Sequence, residues 1–462
     1  MESETLLREA SAPNTPVGFQ RRLSMAGALL AMLGLSLVAV LPRRAADHHS
    51  PTVGSHVGRG SPGPVGTVGP RPEGKAALGP IGGVVVPAEG KAASAERHYK
   101  CGKALVASDQ SSFLEREYSA WKAKWVRAVD GGKCVLRWPG DVSGNLRYPG
   151  DCVSEGNGYG MLISAYMQDK ESFDGFWSFW KKYQDQKGNM NWQIWPRRRA
   201  PSLVVGSGSA TDADEDGAMA LLVAAEHWGE PYASLAKEQI ERVWASDIDP
   251  STGMWRPGDG WGGCETIDVS YFAPAWYEAF AQATGNKEWQ RVIDWGFEFL
   301  GKCNRNNMGT GLTPQWTNCE CSKSGNIGKY PDKYWCDASR LPWRMGMSAA
   351  WYCNEGAQTQ VDLLVDFFSK QGGAADIQNG YTLDGTPLHT SDTDNACTSS
   401  CFASMVAAAH VASDSNATVK ADFWNVTGSR PGPGQSCYYC DALRLLSILF
   451  TSGRMKAPTV KL

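Results

Sequence analysis

Histidine is scarce in this 462-residue chain, and its scarcity narrows the possible catalytic chemistry. Only seven histidines occur, and those beyond residue 97 are far apart in sequence: His98, His227, His389 and His410. No H-E-x-x-H segment is present, which argues against a zinc hydrolase. No G-x-S-x-G segment is present either, so the nucleophile elbow of the serine hydrolases is absent. We expect no cofactor and no catalytic metal, and carboxylates become the candidates for chemistry.

The chain also lacks a large net charge. Its 45 Lys and Arg residues against 48 Asp and Glu residues give −3, with no electrostatic reason to expect a nucleic-acid partner. A hydrophobic content of 42% with 20% charged residues is ordinary for a globular protein. Tryptophan is the exception, because 19 occur and all of them fall between Trp121 and Trp424. That interval marks the folded part of the chain.

Residues 23–41 form an uncharged apolar stretch with an arginine pair on each side. About 20 apolar residues span a bilayer as a helix. A signal peptide has a shorter apolar region and a small-residue cleavage site, and the following P-R-R-A-A-D is a poor one. We predict a transmembrane signal anchor over 23–41 behind a cytosolic tail, residues 1–22. A cleaved signal peptide is the alternative.

Arginines on both sides leave the orientation of this anchor to the rest of the chain. Thirteen cysteines and two N-x-S/T sequons, at Asn416 and Asn425, suit a lumenal or extracellular glycoprotein. We therefore predict a type II arrangement, or a secreted domain if the segment is cleaved. The pairs Cys437-x-x-Cys440 and Cys319-x-Cys321 could ligate a metal, but disulfides suit an exported chain better. An odd number of cysteines leaves at least one thiol free or paired between chains.

A linker separates this segment from the folded domain. Residues 51–90 contain 11 Gly and 7 Pro with no apolar periodicity. Such a segment cannot bury enough apolar surface to offset its ordering entropy. We predict a flexible linker over 42–97 and one large catalytic domain over 98–453, acting as a monomer.

Apolar residues recur at helical spacing through that domain, and alternating β patterns are scarce. Helices are predicted over residues 112–129, 159–166, 173–187, 218–228, 232–246, 274–284, 287–302, 338–353, 359–370, 399–412 and 440–451. Eleven or twelve helices without strands predict an all-α toroid of helical hairpins, with an inner and an outer ring. An ordinary helical bundle is the alternative.

Three segments place carboxylates beside unusual neighbours. Glu155 is followed by three glycines in the next five residues, which would let a substrate approach it closely. Four acids crowd into residues 212–216 at the start of a predicted helix, where the helix dipole stabilises negative charge. That segment is not an EF-hand loop, because Val223 occupies the twelfth position. Asp337 lies three residues before Arg340, close enough to meet it on one helical face. Helix capping and a surface salt bridge are the structural alternatives.

Carboxylates, abundant tryptophan and no metal are what glycoside cleavage requires. One carboxylic acid protonates the leaving oxygen, and another carboxylate activates water or attacks carbon. Sugar rings have apolar C–H faces that pack on aromatic rings, so a tryptophan-rich cleft suits a polysaccharide. Most of the 19 tryptophans are nevertheless expected in the core.

Four segments together resemble glycoside hydrolase family 8, formerly cellulase family D, which includes bacterial cellulases, xylanases and chitosanases. Residues 153–161 resemble its S-E-G-x-G-Y-G-M signature, and residues 209–214 resemble its A-T-D-x-D helix start. Residues 270–274 are similar to S-Y-F-x-P, and residues 337–344 are similar to D-A-x-R-x-P-W-R. The four occur in family order and span most of residues 100–450.

The resemblance implies an (α/α)6 barrel and an inverting mechanism, with Glu155 as general acid and Asp337 as general base. Inversion places the two carboxyls roughly 6.5–9.5 Å apart. The resemblance implies a third catalytic residue, Asp212, which binds the sugar at the cleavage site and helps it distort. It also implies that Trp192 stacks on a sugar and that Tyr271 and Arg340 help to hold the water and the base. Because Glu155 begins a helix, whose dipole lowers a carboxyl pKa, burial and repulsion from Asp212 must keep it protonated. We predict a mildly acidic activity optimum.

The substrate is inferred from the position of the base. In the family, cellulase-like and xylanase-like members carry a base at the Asp337 position, whereas chitosanase-like members carry a Glu elsewhere. The resemblance therefore implies an endo-acting enzyme on β-1,4-glucan, either cellulose or mixed-linkage glucan. Glu215 replaces a usual apolar residue and could favour a cationic sugar, and the basic run 197–199 could contact an anionic glycan. Chitosan or xylan is the alternative substrate, and an inactive membrane-tethered glycan-binding protein is the second alternative.

Overall fold

The computed structural model describes residues 99–106, 110–137, 147–197, 200–323, 325, 327–388, 397–430 and 437–462. The predicted cytosolic tail, membrane anchor and linker lie outside these residues, as do His98 and His389. Among the residues that are described, no helix is both long and apolar enough to cross a bilayer. The anchor over 23–41 and the linker over 42–97 stay predictions.

Helices dominate the described chain, and twelve α-helices are present in it. They are α1 (Ser111–Trp125), α2 (Ser154–Met167), α3 (Lys170–Lys182), α4 (Thr211–Trp228), α5 (Tyr232–Ser246), α6 (Pro274–Thr284), α7 (Trp289–Asn306), α8 (Leu341–Tyr352), α9 (Glu355–Ser369), α10 (Ser399–Ala409), α11 (Ala417–Gly428) and α12 (Tyr438–Thr451). Seven short strands accompany them: β1 (Val126–Val129), β2 (Gly132–Val135), β3 (Cys152–Val153), β4 (Gln193–Trp195), β5 (Leu203–Gly206), β6 (Ile267–Asp268) and β7 (Trp316–Thr317).

The even-numbered helices form a closed inner ring. Each of α2, α4, α6, α8, α10 and α12 contacts the next, and α12 returns to α2. The odd-numbered helices pack outside them: α3 on α2, α5 on α4, α7 on α6, α9 on α8, α11 on α10 and α1 on α12. The chain therefore alternates between the two rings, which confirms the predicted all-α barrel of helical hairpins.

Residue type explains which helices lie inside. Helix α2 is buried along nearly its whole length, and a Cβ at Gly160 would lie 2.6 Å from the ring of Phe176 on α3. Glycine there permits the close approach of the outer helix. Helix α7 instead buries one stripe at helical spacing, as expected for an outer helix. Its buried residues are Trp289, Val292, Ile293, Gly296, Phe299, Leu300 and Cys303.

The prediction that the domain has no strands is wrong. Residues 126–129 were expected to end the first helix, but they form β1, which pairs antiparallel with β2. The two-residue turn between them is Asp130-Gly131, with φ of 50° and 84°. Asp-Gly favours a two-residue hairpin turn in which both residues have positive φ. The chain therefore forms a hairpin here instead of continuing the helix. Strands β3, β4 and β5 form a second antiparallel sheet, and β6 pairs with β7.

One helix was also missed, because residues 417–428 form α11. The Asn416 side chain caps it by accepting a hydrogen bond from the backbone N–H of Val419 over 3.0 Å. An asparagine at the N-cap is a common helix start. Both sequon asparagines, Asn416 and Asn425, are exposed on this helix.

Ten of the thirteen cysteines form disulfides, which suits an oxidising compartment. The bonds are Cys101–Cys353, Cys134–Cys152, Cys264–Cys319, Cys303–Cys321 and Cys336–Cys397. Cys319 and Cys321 are thus disulfide cysteines, but with separate partners. Three buried cysteines lie outside these five bonds: Cys401, Cys437 and Cys440. In the described part of the chain, no set of three or more His, Cys, Asp or Glu side chains is arranged to hold a metal ion.

Candidate active site

The predicted site residues meet at the N-terminal ends of inner helices. Glu155 lies in the first turn of α2, and Asp212 lies in the first turn of α4. Asp337 and Arg340 begin and end the 3-10 turn Asp337–Arg340, which leads directly into α8. Tyr438 opens α12. Because neighbouring inner helices contact one another around the ring, side chains that are distant in sequence become close in space.

Arg340 joins the acids of this site. Its Nη1 donates to Glu155 Oε2 over 2.9 Å and to Asp212 Oδ2 over 2.6 Å. Its Nη2 lies 3.6 Å from Asp337 Oδ1 and 3.7 Å from Asp268 Oδ2. The arginine side chain is only 1% exposed. We call these five residues the Arg340 cluster, in which one guanidinium faces four carboxyls.

Glu155 has the properties that a general acid needs. Burial raises the pKa of its carboxyl to about 8, against the opposing effect of the Arg340 charge. Asp212 and Asp337 raise that pKa further, whereas the hydrogen bond from Tyr438 lowers it. The Tyr438 hydroxyl donates to Glu155 Oε1 over 2.7 Å. Burial therefore outweighs the dipole of α2, and the carboxyl holds its proton at neutral pH.

Asp337 is the most accessible acid of the cluster, with 30% of its side chain exposed. Burial raises the pKa of its carboxyl, Arg340 and a hydrogen bond from Trp316 lower it, and Asp212 raises it. The Trp316 Nε1 donates to Asp337 Oδ2 over 3.0 Å. A water molecule can reach this carboxyl.

Tyr271 covers one face of the cluster. Its ring centroid lies 5.2 Å from the Arg340 guanidinium carbon and 5.9 Å from the Trp316 ring in an edge-on contact. Burial raises the pKa of the Tyr271 hydroxyl well above its usual value, and so does the charge of Asp212. The hydroxyl therefore stays protonated and can donate a hydrogen bond.

Asp268 and Tyr438 are, like Trp316 and Trp261, members of the site that were not predicted. Asp268 is fully buried, and its Oδ1 accepts from the Ser270 N–H over 2.8 Å and from the Ser270 hydroxyl over 2.7 Å. It lies two residues before the segment 270–274, so its position next to a signature was the available signal. Tyr438 was missed because the last helix was predicted to begin at residue 440, two residues late. Its neighbour Tyr439 donates to the carbonyl of Cys336, the residue before Asp337, over 2.9 Å.

Trp192 lies next to the acid through the main chain. Its carbonyl accepts from the Ser154 N–H over 2.9 Å, at the start of α2. The indole is half-buried and packs flat against Gly206, where any side chain would overlap it. Trp261 is also half-buried and stacks on Trp316, with ring centroids 5.9 Å apart. Both indoles are partly exposed.

Glu215 lies away from this surface. Its side chain is 0% exposed, and its Oε1 lies 3.4 Å from Arg344 Nη2. The Tyr277 hydroxyl donates to Glu215 Oε2 over 2.9 Å. Glu215 therefore cannot contact a sugar, which removes the direct argument for a cationic substrate. Of the basic run 197–199, only Arg197 lies within the described residues, and its Nε donates to the Pro201 carbonyl over 2.7 Å.

Sequence comparison places the whole described domain in one family. A family model described as "Glycosyl hydrolases family 8" matches residues 94–453. Endoglucanase 2 of Ruminiclostridium josui is 34% identical over 365 residues, which cover 77% of this chain and 74% of that protein. Endoglucanase A of Acetivibrio thermocellus is 33% identical, covering 78% of this chain and 74% of that protein.

Structure comparison agrees on the fold. The chain is similar to the apo structure of a β-1,3-1,4-glucanase from Paenibacillus sp. X4, with a TM-score of 0.67 and 23% identity. That match covers 78% of this chain and 98% of the glucanase. A more distant sequence relative is the reducing-end xylose-releasing exo-oligoxylanase Rex8A of Paenibacillus barcinonensis, 25% identical over 69% of this chain and 86% of that protein.

Proposed function

Because the chain belongs to glycosyl hydrolase family 8 and is a cellulase-type glycosidase, we propose that it cleaves β-1,4-glucan internally, with inversion. Glu155 is the general acid and Asp337 is the general base of this proposal. The observation that carries it is the joint contact of Arg340 with Glu155, Asp212 and Asp337. One buried cation holds two differently placed carboxyls beside a third that binds the sugar.

The acid step uses the proton of Glu155. With a carboxyl pKa of about 8, Glu155 is protonated across the acidic and neutral range. It gives that proton to the glycosidic oxygen as the bond to the anomeric carbon breaks. Asp212 shares Nη1 of Arg340 with Glu155, so its charge opposes ionisation of the acid before the reaction.

The base step uses Asp337. Glu155 contacts Nη1 of Arg340, whereas Asp337 approaches Nη2 of the same guanidinium. A water between Asp337 and the sugar loses a proton to the carboxylate as its oxygen attacks the anomeric carbon. The partly exposed Asp337 then returns that proton to solvent, and Glu155 is reprotonated.

Cellulose or mixed-linkage glucan is the substrate that the relatives favour. The two endoglucanases share 33–34% identity with the chain, whereas the xylose-releasing enzyme shares 25%. Trp192 and Trp261 supply indole faces for the apolar sides of glucose rings, and Tyr271 with Arg340 holds the water and the base. Xylan and chitosan are the alternative substrates, and an inactive glycan-binding protein is the second alternative.

The location of the enzyme follows from residues 23–41. We propose that they anchor a monomeric catalytic domain, residues 98–453, outside the membrane, with residues 42–97 as a linker. Five disulfides and two exposed sequon asparagines support export. A cleaved signal would give a secreted enzyme instead.

Reducing-sugar release tests the proposal on carboxymethyl cellulose, mixed-linkage β-glucan, xylan and chitosan, with Glu155→Gln beside the purified protein. We expect the protein to release reducing sugar from the two glucans, and we expect Glu155→Gln to abolish that release. Activity on xylan or chitosan alone would keep the mechanism and change the substrate. Inactivity on all four, with oligosaccharide affinity retained, would support the glycan-binding alternative.

A further inference from the structure

Trp316 touches the carboxyl of the proposed base directly. Its indole Nε1 donates to Asp337 Oδ2 over 3.0 Å, and its side chain is almost completely buried. An indole N–H can only donate, so this bond favours the ionised form of the carboxyl. It therefore acts in the same direction as Arg340 and against burial.

Packing fixes the indole in this position. The Trp261 ring stacks on it, with ring centroids 5.9 Å apart and an interplanar angle of 28°. The Tyr271 ring meets it edge-on, with centroids 5.9 Å apart and an interplanar angle of 69°. The backbone of Trp316 lies in β7, directly opposite Asp268 of β6. A Cβ at Gly325 would lie 2.9 Å from the Trp316 Cβ, so the chain encloses the residue on that side as well. The indole has little freedom to turn away from Asp337.

Gln315, the residue before Trp316, fixes the backbone of Asp337. Gln315 Oε1 accepts from the Asp337 N–H over 2.9 Å. Its Nε2 donates to the carbonyls of Lys329 and Tyr330, over 2.9 and 3.0 Å. Two consecutive residues thus hold the main chain and the side chain of Asp337.

The second oxygen of the base has a looser contact. Asp337 Oδ1 lies 3.6 Å from Arg340 Nη2, beyond hydrogen-bond length. A carboxylate can accept at both oxygens, so engagement of Oδ2 by Trp316 leaves Oδ1 as the oxygen for a water. The partial exposure of this side chain lets that water enter.

We propose that Trp316 is a positioning residue that holds Asp337 in the one orientation in which Oδ1 receives the proton of the attacking water. The inference rests on the proposed function, since it needs Asp337 to be the base. The O–H bond of the water breaks towards Oδ1 while its oxygen bonds to the anomeric carbon, and Glu155 gives its proton to the leaving oxygen. Loss of the indole N–H should disturb this step without removing a sugar contact.

Trp316→Phe tests the proposal in the purified enzyme, because it keeps an aromatic ring and deletes the donor. We expect kcat to fall about 10- to 100-fold, the range for one hydrogen bond to a charged group, with KM changed less than about twofold. The acid limb of the kcat–pH profile should move to higher pH, since the ionised base loses a donor. Trp125→Phe is the matched control: the buried Trp125 also donates its Nε1 to a carboxylate, Asp441 Oδ2, over 2.8 Å, and Asp441 lies outside the Arg340 cluster. The acid limb of this variant should match the wild type.

A Trp316→Phe enzyme with wild-type kcat and acid limb but a raised KM would overturn the inference, since the ring would then serve the sugar. Asp337→Asn, assayed in parallel, distinguishes failure of the base assignment from failure of the role proposed for Trp316. Retained turnover in Asp337→Asn removes the base assignment itself, whereas an inactive Asp337→Asn with a normal Trp316→Phe removes only the role of Trp316. If Trp316→Phe fails to fold, 3-benzothienylalanine at position 316 keeps the fused ring and replaces N–H by sulfur. The same fall in kcat supports the inference, and wild-type turnover refutes it.

Discussion

Two buried arginines stand four residues apart, and each holds acids that begin α4. Arg340 contacts Asp212, and Arg344 contacts Asp216 one helical turn later, with Nη1 to Oδ1 at 2.7 Å. We call the second group the Arg344 cluster, which contains Arg344, Glu215, Asp216, Trp276 and Tyr277. Its arginine and both acids are at most 1% exposed. The Arg340 cluster instead has two partly exposed acids, Glu155 at 16% and Asp337 at 30%.

The difference shows what makes an arginine–carboxyl cluster reactive. In the Arg344 cluster one cation serves two acids, and both acids also accept hydrogen bonds, from Tyr277 and Trp276. In the Arg340 cluster one cation faces four acids, and burial raises the pKa of one of them, Glu155, to about 8. Access and an excess of acids are the two features of the Arg340 cluster that support its proposed role in proton transfer. The Arg344 cluster is closed, and its role is to join α4, α6 and α8 inside the barrel.

The largest expected difference separates the two glutamates. Glu155→Gln should lower kcat by about 10²–10⁴-fold, the usual contribution of one general acid, with oligosaccharide affinity kept. Glu215→Gln should leave kcat within a few-fold, because its side chain does not reach a substrate. Steady-state kinetics on mixed-linkage glucan measure both. A folded Glu215 variant that is as inactive as the Glu155 variant would contradict a purely structural role for Glu215.

The next difference concerns stability. Arg344→Met should lower the free energy of unfolding by about 3–5 kcal/mol, because it leaves Glu215 and Asp216 buried without their cation. Lys370→Met is the surface control. It removes an exposed pair with Asp366, 2.6 Å apart, and should cost less than about 1 kcal/mol. Denaturant unfolding measures both, and equal costs would contradict the structural role of Arg344.

The smallest expected effects come from two tyrosines that each donate to a glutamate. Tyr438→Phe removes a donor to the ionised form of Glu155, so the pKa of that acid should rise from about 8. The alkaline limb of the kcat/KM profile should therefore move to higher pH. Tyr277→Phe should leave that limb in place and cost about 1–3 kcal/mol of stability, since Glu215 loses a buried donor. A shift of the limb in both variants would mean that the two clusters titrate together.

Motifs with local chemistry were readable in the sequence. Glu155 is followed by glycines, Asp212 begins a run of acids at a helix start, and Asp337 has a basic partner three residues later. All three acids lie in the Arg340 cluster. Helices α5 and α6 were predicted at their observed bounds, since apolar periodicity and end signals agree there.

Contacts between distant segments could not be read in the same way. Asp268 meets Arg340 where residues 269–271 pack against the turn Asp337–Arg340, and Tyr438 meets Glu155 where α12 closes the ring on α2. The Cys101–Cys353 disulfide likewise joins segments 252 residues apart. The β1–β2 hairpin was missed for a different reason. The first helix was predicted to run through residue 129, and the Asp130-Gly131 pair that follows it was not considered as a hairpin turn.

The stereochemistry of the first product tests the central claim most directly. Proton NMR of a β-1,4-linked oligosaccharide during cleavage distinguishes the two anomers before they interconvert. We expect the α-anomer to appear first, and we expect Asp337→Asn to release neither anomer at a comparable rate. Initial release of the β-anomer would contradict the claim, because Asp337 would then act on carbon rather than on water.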